Sequence, residues 1–353
     1  MKKSLISFAR GRLRARRAAR YDADQNSQAE AAYASIIAAR PDRKLSEDLR
    51  REISLYAEKH FGSKVYAPWL YTYAAWRGEF VEGCIPDNYC GRYVVPHSMG
   101  VHQSLLNQTF QRRILETDRI PDVAYIVRGR LFGLGGEALD VAAFSRQMFD
   151  AHPYLYLKLP IGRQGQGVKR VTGQTLPDAI ATIDEATLQS PVENHPDLEA
   201  VFPGAAATIR VTTVHNDGEV FPVASYARFG TGKDELTQGP TSVRAPIDLT
   251  TGRMIGPAAK ADWTPINAHP DTGVELPGRA IPGFKAAIDM CVDHHKRIRQ
   301  IAYVGWDVGI TPEEEPMLFE GNAGHAGIKF TEAAVGPIFK GLGWDQLHLK
   351  ERR

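Results

Sequence analysis

The stretch 302–325, AYVGWDVGITPEEEPMLFEGNAGH, decides how the rest of the chain is read. Val304, Trp306 and Val308 alternate with Tyr303, Gly305 and Asp307, and a period of two is the mark of a half-buried strand. Thr311 to Pro316 then supplies turn chemistry, and Met317 to Glu320 runs extended again before Gly321-Asn322. Paired antiparallel, the two strands set Asp307 opposite Glu320, and Asn322 points to the same side as Glu320. Two carboxylates and an amide oxygen on one face repel each other unless a cation sits among them. Hard oxygen ligands of this kind suit Mg²⁺ shared with nucleotide phosphates. An ordinary polar hairpin with its acids in water satisfies the same spacing, so both readings stand at this point.

The rest of the composition bounds the class. A chain of 353 residues holds two ordinary domains or one elaborate one, with ample core. An apolar fraction of 43% and a charged fraction of 24% are those of a globular protein, and a net charge of +2 selects no polyanionic partner. Cys84, Cys90 and Cys291 are odd in number and lack CxxC spacing, which fits a reducing compartment with neither disulfide framework nor zinc site. No apolar run is long enough to cross a bilayer, and the apolar part of MKKSLISFA is too short for a secretory signal. The expected setting is cytoplasmic.

Residues 1–20 hold eight Lys or Arg and no acid. Such an arm can touch anionic lipid or nucleic acid, but a solvated terminal tail is the expectation. Residues 27–60 read as two helices broken at Pro41-Asp42, the second beginning at Ser46-Glu47. From 61 to 98 the aromatic residues Trp69, Tyr71, Tyr73, Trp76, Phe80, Tyr89 and Tyr93 read as packing. No basic groove interleaves with them, so nucleic acid is not an expected partner. Helical periodicity returns at 101–116, and Val123 to Val127 reads as a short strand.

Tyr154 to Leu159, YLYLKL, is a strand with Tyr154, Tyr156 and Lys158 on one face. A lysine on such a face is costly to bury without an anion. Three glycines in the six residues from Gly162 to Gly167 follow, set between this strand and another short one. They let backbone approach a ligand and aim N–H groups at phosphate, or they simply form a hairpin tip. The loop is neither a Walker motif nor a dinucleotide fingerprint.

Pro177 to Gln189 reads as a helix running into a strand, with Gln189-Ser190-Pro191-Val192 as connector. Ala207 to Val214 and Glu219 to Phe229 form a hairpin turned at His215-Asn216-Asp217-Gly218. Arg210 on the first of these strands suits either a phosphate clamp or a salt bridge. Residues 231–281, rich in Gly, Pro and Thr, read as a long excursion or lid, and Ile281 to Tyr303 as a long helix. His294 and His295 on it face different sides and are poor joint ligands.

The order of parts, carried by YLYLKLPIGRQGQGV, TIRVTTV, APIDLTTG and YVGWDVGIT…LFEGN, resembles the ATP-grasp superfamily over roughly residues 105–330. Within it the chain is similar to the sugar-transfer associated branch. The resemblance implies an α+β (α/β) fold in which two α+β subdomains grip ATP, preceded by an N-terminal domain. The implied bounds are 1–104, 105–192 and 193–353. It implies that Lys158 meets the α-phosphate and that Gly162, Gln164, Gly165, Gly167 and Val168 cover the β- and γ-phosphates. Gln189, Ser190, Pro191 and Val192 would hold adenine, and Arg210 the transferring phosphate. Asp307, Glu320 and Asn322 would hold Mg²⁺. Apart from the resemblance, His215 and His325 are candidates for acid or base, His325 the better placed, three residues after Asn322, with a structural role as the alternative.

ATP and Mg²⁺ are the implied cofactors, and a small-molecule carboxylate and an amine the implied substrates, joined through an acylphosphate. A kinase on the same fold and a degenerate nucleotide-binding assembly partner are the alternatives. Many relatives place an Asn-Lys pair where this chain has Asn107-Gln108, with Arg112 and Arg113 as the cations nearest in sequence. Lys233 to Pro240 also lacks the Asp-Asn…Gly-Gly look of relatives.

Overall fold

The computed structural model describes residues 2–160, 167–232, 234 and 241–350, with backbone alone for residues 2–15 and Gln103. The chain divides into two compact units. The first is Met1–Ser98 with Asp262–Pro265 and Gly327–Arg353; the second is Met99–Ala261 with Ile266–Ala326. The Gly162, Gln164 and Gly165 positions and most of Lys233 to Pro240 lie outside the described residues.

Unit 1 is helical. Its first helix, Lys2–Ala39, takes the place of the tail expected for residues 1–20. Ala and Arg dominate that stretch and no proline occurs before Pro41, so its good helix formers outweigh the single Gly11. Glu47–Phe61 starts where the sequence says it should: the Ser46 side-chain oxygen accepts from the Leu49 N–H at 3.2 Å, and Gly62 ends the helix at φ 79°. Ala67–Arg77 buries Trp69, Tyr73 and Trp76, and Trp263 and Phe330 close the aromatic cluster. The aromatic stretch is packing, as its pattern indicates. No helix among the described residues is long and apolar enough to cross a membrane.

Unit 2 carries two sheets. The first contains β1 (Asp122–Val127), β2 (Arg130–Phe132), β3 (Leu155–Lys158), β4 (Val168–Val171) and β5 (Glu185–Gln189), in the order β2-β1-β5-β3-β4. Its core joins Leu155, Leu157 and Leu188 to Phe144, Leu176 and Ile180 of the helices Val141–Ala151 and Leu176–Thr182. The second contains β6 (Thr208–Asn216), β7 (Glu219–Phe229), β8 (Val243–Ile247), β9 (Ala258–Ala259), β10 (Pro265–Ile266), β11 (Tyr303–Ile310) and β12 (Pro316–Asn322). Their order is β10-β9-β8-β7-β6-β11-β12. β6 and β7 turn at Asp217 and Gly218, both at positive φ. The excursion 231–281 therefore extends this sheet by β8 to β10 as well as looping.

The helix expected from Ile281 to Tyr303 is shorter, Phe284–Arg297, and packs Ala287, Met290 and Cys291 against Val304, Trp306 and Val308. All eight residues of β11 are buried, not one face only. The reason lies on the far side of the strand, where Gly305 and Gly309 leave room for Ala326, the Arg210 side chain and the Phe319 ring. His294 and His295 are core histidines. His295 Nδ1 lies 2.7 Å from Thr213 Oγ1 and Nε2 lies 2.8 Å from the Ile301 carbonyl oxygen. The Trp306 N–H donates to the same Thr213 oxygen at 2.8 Å. Burial pushes His295 down to about 4, so the ring is neutral and the network is satisfied without charge.

Candidate active site

β11 and β12 pair with Asp307 opposite Glu320 and Gly305 opposite Asn322, so the register places the three oxygen-bearing side chains at one end of the hairpin. Arg210 enters from β6, whose pairing sets it opposite Asp307. Its Nε donates to Asp307 Oδ1 at 2.6 Å and Nη2 to Oδ2 at 2.8 Å, while Nη1 donates to the Ala326 carbonyl at 2.5 Å. Arg228 Nη1 lies 3.8 Å from the same carboxylate. Burial alone would raise the Asp307 carboxyl, but the Arg210 guanidinium holds it below the ordinary carboxylate range. Burial likewise works against the guanidinium, and Asp307 keeps it charged. Of the two readings of Arg210, the salt bridge is the contact present.

Lys158 reaches this end from the other sheet. Its Nζ donates to the Phe319 carbonyl at 3.3 Å, next to Glu320, and lies 5.8 Å from the centre of the Phe319 ring. Burial pushes the ammonium below the ordinary lysine range, while Glu320, Asp122 and Asp307 pull it back up. Lys158 also pairs with Val168 across β3 and β4, and the Leu159 N–H donates to the Gly167 carbonyl at 2.9 Å. The described ends of the glycine-rich stretch are thus anchored beside the lysine.

Gln189 turns inward from the end of β5, and its amide donates to Asp122 Oδ1 at 2.7 Å. Ser190 N–H donates to the Pro121 carbonyl at 2.9 Å, which ties the connector to the start of β1. Pro191 and Val192 follow it, half-buried, and His325 is exposed beyond β12.

Two residues enter the site that strand patterns alone did not select. Asp122 is 5% exposed, and burial raises its carboxyl despite Gln189 and Lys158. Gln108, at the start of the helix Gln108–Leu115, donates its amide to Glu320 Oε2 at 2.8 Å. Asn322 donates to Glu320 Oε1 at 3.3 Å. Gln108 Oε1 is buried without a hydrogen-bond partner among the described residues. The departure from the family's Asn-Lys pair was the signal for Gln108. Arg112 does not fill that place: it binds the Ile120 carbonyl and Asp118, while Arg113 reaches the Leu134 carbonyl at 3.5 Å.

An orphaned amide oxygen beside Glu320 and Asn322 is a hard oxygen set, and its donor chemistry fits a small divalent cation. Asp307 has both oxygens on the charged Arg210, whereas Glu320 accepts from the neutral amides of Gln108 and Asn322, which makes Glu320 with the Asn322 and Gln108 amide oxygens the donor set for such an ion.

Two antiparallel-strand modules bring a lysine from one to the acidic hairpin of the other. Residues 171–342 match the family model described as sugar-transfer associated ATP-grasp. No curated protein matches the sequence. Among solved structures, the chain is similar to carboxyaminoimidazole ribonucleotide synthase from Aspergillus clavatus complexed with ATP. That likeness has 13% identity and a TM-score of 0.36, covering 62% of this chain and 45% of the other. A biotin carboxylase complex from Campylobacter jejuni gives 10% identity and a TM-score of 0.43, covering 69% and 45%. The ATP-grasp ligase PsnB with its minimal precursor gives 15% and 0.40, covering 73% and 64%. The chain thus spans about half the length of the first two.

Proposed function

We propose that this protein is an ATP- and Mg²⁺-dependent carboxylate–amine ligase. The observation that carries this reading is the meeting of Lys158, from β3, with the β12 segment that bears Glu320 and Asn322. The match to an ATP-grasp family model supports it. A substrate carboxylate oxygen attacks the γ-phosphorus, the bridging P–O bond to the β-phosphate breaks, and ADP leaves with that electron pair. An amine nitrogen then attacks the acyl carbon, the C–O bond to phosphate breaks, and the amine gives up a proton as the amide forms.

No protein nucleophile is needed, so the side chains position groups and offset negative charge. Lys158 holds phosphate oxygens, Gly162 to Val168 covers them, and Gln189 to Val192 holds the adenine edge. Glu320 and Asn322, with the Gln108 amide oxygen beside them, would hold Mg²⁺, while Asp307, both of whose oxygens accept from Arg210, backs them from the adjoining strand. When bound, the ion supplies charge neutralisation at the β- and γ-phosphates. Arg210 steadies Asp307 and would offset charge on the transferring phosphate, with His325 an exposed acid or base. The three-part division at 104 and 192, a cytoplasmic setting, and a place in polysaccharide or natural-product biosynthesis belong to this proposal.

Phosphate release from ATP and Mg²⁺ with panels of carboxylates and amines tests it. Release that needs both partners supports the ligase; a phosphorylated alcohol as product refutes it in favour of a kinase. Glu320→Gln abolishes metal-dependent turnover in either enzyme. A second reading, a nucleotide-binding partner without turnover, is favoured by Gln108 in place of the family lysine. It predicts no phosphate release with any pair.

A further inference from the structure

Unit 1 contains a cavity of about 320 Å³, walled by Phe61, Tyr66 and Tyr93 and floored by an ion pair. Arg92 Nη2 donates to Asp22 Oδ2 at 2.8 Å, and Arg92 Nη1 donates to the Tyr66 hydroxyl at 3.2 Å. Asp22 is 6% exposed, and its second oxygen, Oδ1, has no hydrogen-bond partner among the described residues. A buried carboxylate oxygen left without a donor is costly unless something else supplies one. Burial raises this carboxyl even though Arg92 pulls it down, which marks the same deficit of positive partners. Guanidinium offers five N–H donors in a plane, and the two bonds above use two of them. Its side chain is 26% exposed, and Ser63 adds a hydroxyl to the same wall.

We propose that this cavity binds a zwitterion of the α-amino-acid class, its ammonium on Asp22, its carboxylate on Arg92 and its side chain against the rings. Three observations converge on that class. The floor pairs one negative with one positive group, so a net anion meets Asp22 and a net cation meets Arg92, and each pays desolvation without full compensation. The two groups touch, as the ammonium and carboxylate of one α-carbon must be recognised together. The aromatic wall gives an apolar body a surface and an ammonium a ring face. The site is built wholly within unit 1 and does not depend on the ligase reading.

The test is calorimetric titration of the full chain, without nucleotide, with L-phenylalanine, L-leucine and glycine, and with phenethylamine and 3-phenylpropionate as single-charge controls. Saturable binding of an amino acid, at least about 10-fold tighter than either control, is expected. Asp22→Asn and Arg92→Gln weaken it by about 10-fold or more. Unchanged near-ultraviolet dichroism shows that those variants fold. Glu320→Gln leaves amino-acid affinity unchanged, which separates this site from the nucleotide site. Binding by none of the amino acids, equal affinity for a single-charge control, or wild-type affinity in folded Asp22→Asn overturns the proposal.

Discussion

Arg210 carries a full charge into the interior of the second sheet, 7% exposed, and answers it with a carboxylate 97 residues away. Two hydrogen bonds in fork geometry, at 2.6 and 2.8 Å, make this the strong form of the ion pair. A pair of this kind is not itself a large source of stability, because desolvation offsets most of the attraction. Removing one member is different, since the survivor stays buried and unpaired. Asp307→Asn is therefore expected to lower unfolding free energy by about 3–5 kcal/mol, read as a lower urea midpoint. The double variant Arg210→Met, Asp307→Leu is expected to cost less than Asp307→Asn alone. Strict additivity of the single variants Arg210→Met and Asp307→Leu in that double variant would refute the coupling.

At the scale of the element, β11 works because it has almost no side chain at two of its positions. A Cβ on Gly305 would stand 2.8 Å from Ala326 Cβ and 3.1 Å from Arg210 Nη1. Gly305→Ala is expected to cost about 1–3 kcal/mol as an overpacking change. It should also displace the guanidinium, so a thermal scan shows a lower Tm while the secondary structure by circular dichroism stays the same. This strand also shows what the sequence could and could not say. Alternation and turn residues located β11, β12 and their register, because those signals are local. Burial on both faces was not legible, since it depends on Ala326 and Phe319 folding back over glycines. The Arg210–Asp307 contact joins two strands that only the sheet order makes neighbours. In the same way Lys158 reaches Phe319 from 161 residues away and Gln108 reaches Glu320 from 212, distances at which spacing carries no information. Strands β8 to β10 went unseen because the Gly, Pro and Thr residues around these short strands read as loop.

For the molecule as a whole, one pH-dependent stress lies in unit 1, which draws its fold from three separated stretches of chain. Glu332, on the helix Lys329–Ala334, is fully buried, and the weak pull of the Ile85 and Ile338 N–H groups and the Cys84 thiol on its carboxyl does not offset that burial. Arg77 lies near but binds the carbonyls of Glu332 and Ala333, not the carboxylate. Burial pushes the Glu332 carboxyl up to about 8, so near neutral pH the folded chain keeps a proton that the unfolded chain has released. Protons bound more tightly by the folded state mean that stability falls as pH rises. The fall begins near the ordinary glutamate value, about 4.3, continues to about 8, and levels off above it. Each pH unit in that window removes up to about 1.4 kcal/mol. Glu332→Gln keeps the shape and removes the proton from the balance. Its Tm should exceed that of the wild type by a few degrees at pH 8, with the gap closing toward pH 5. Parallel Tm profiles for the two proteins across that range would mean that Glu332 is charged in the fold and that a cation, not a proton, compensates it.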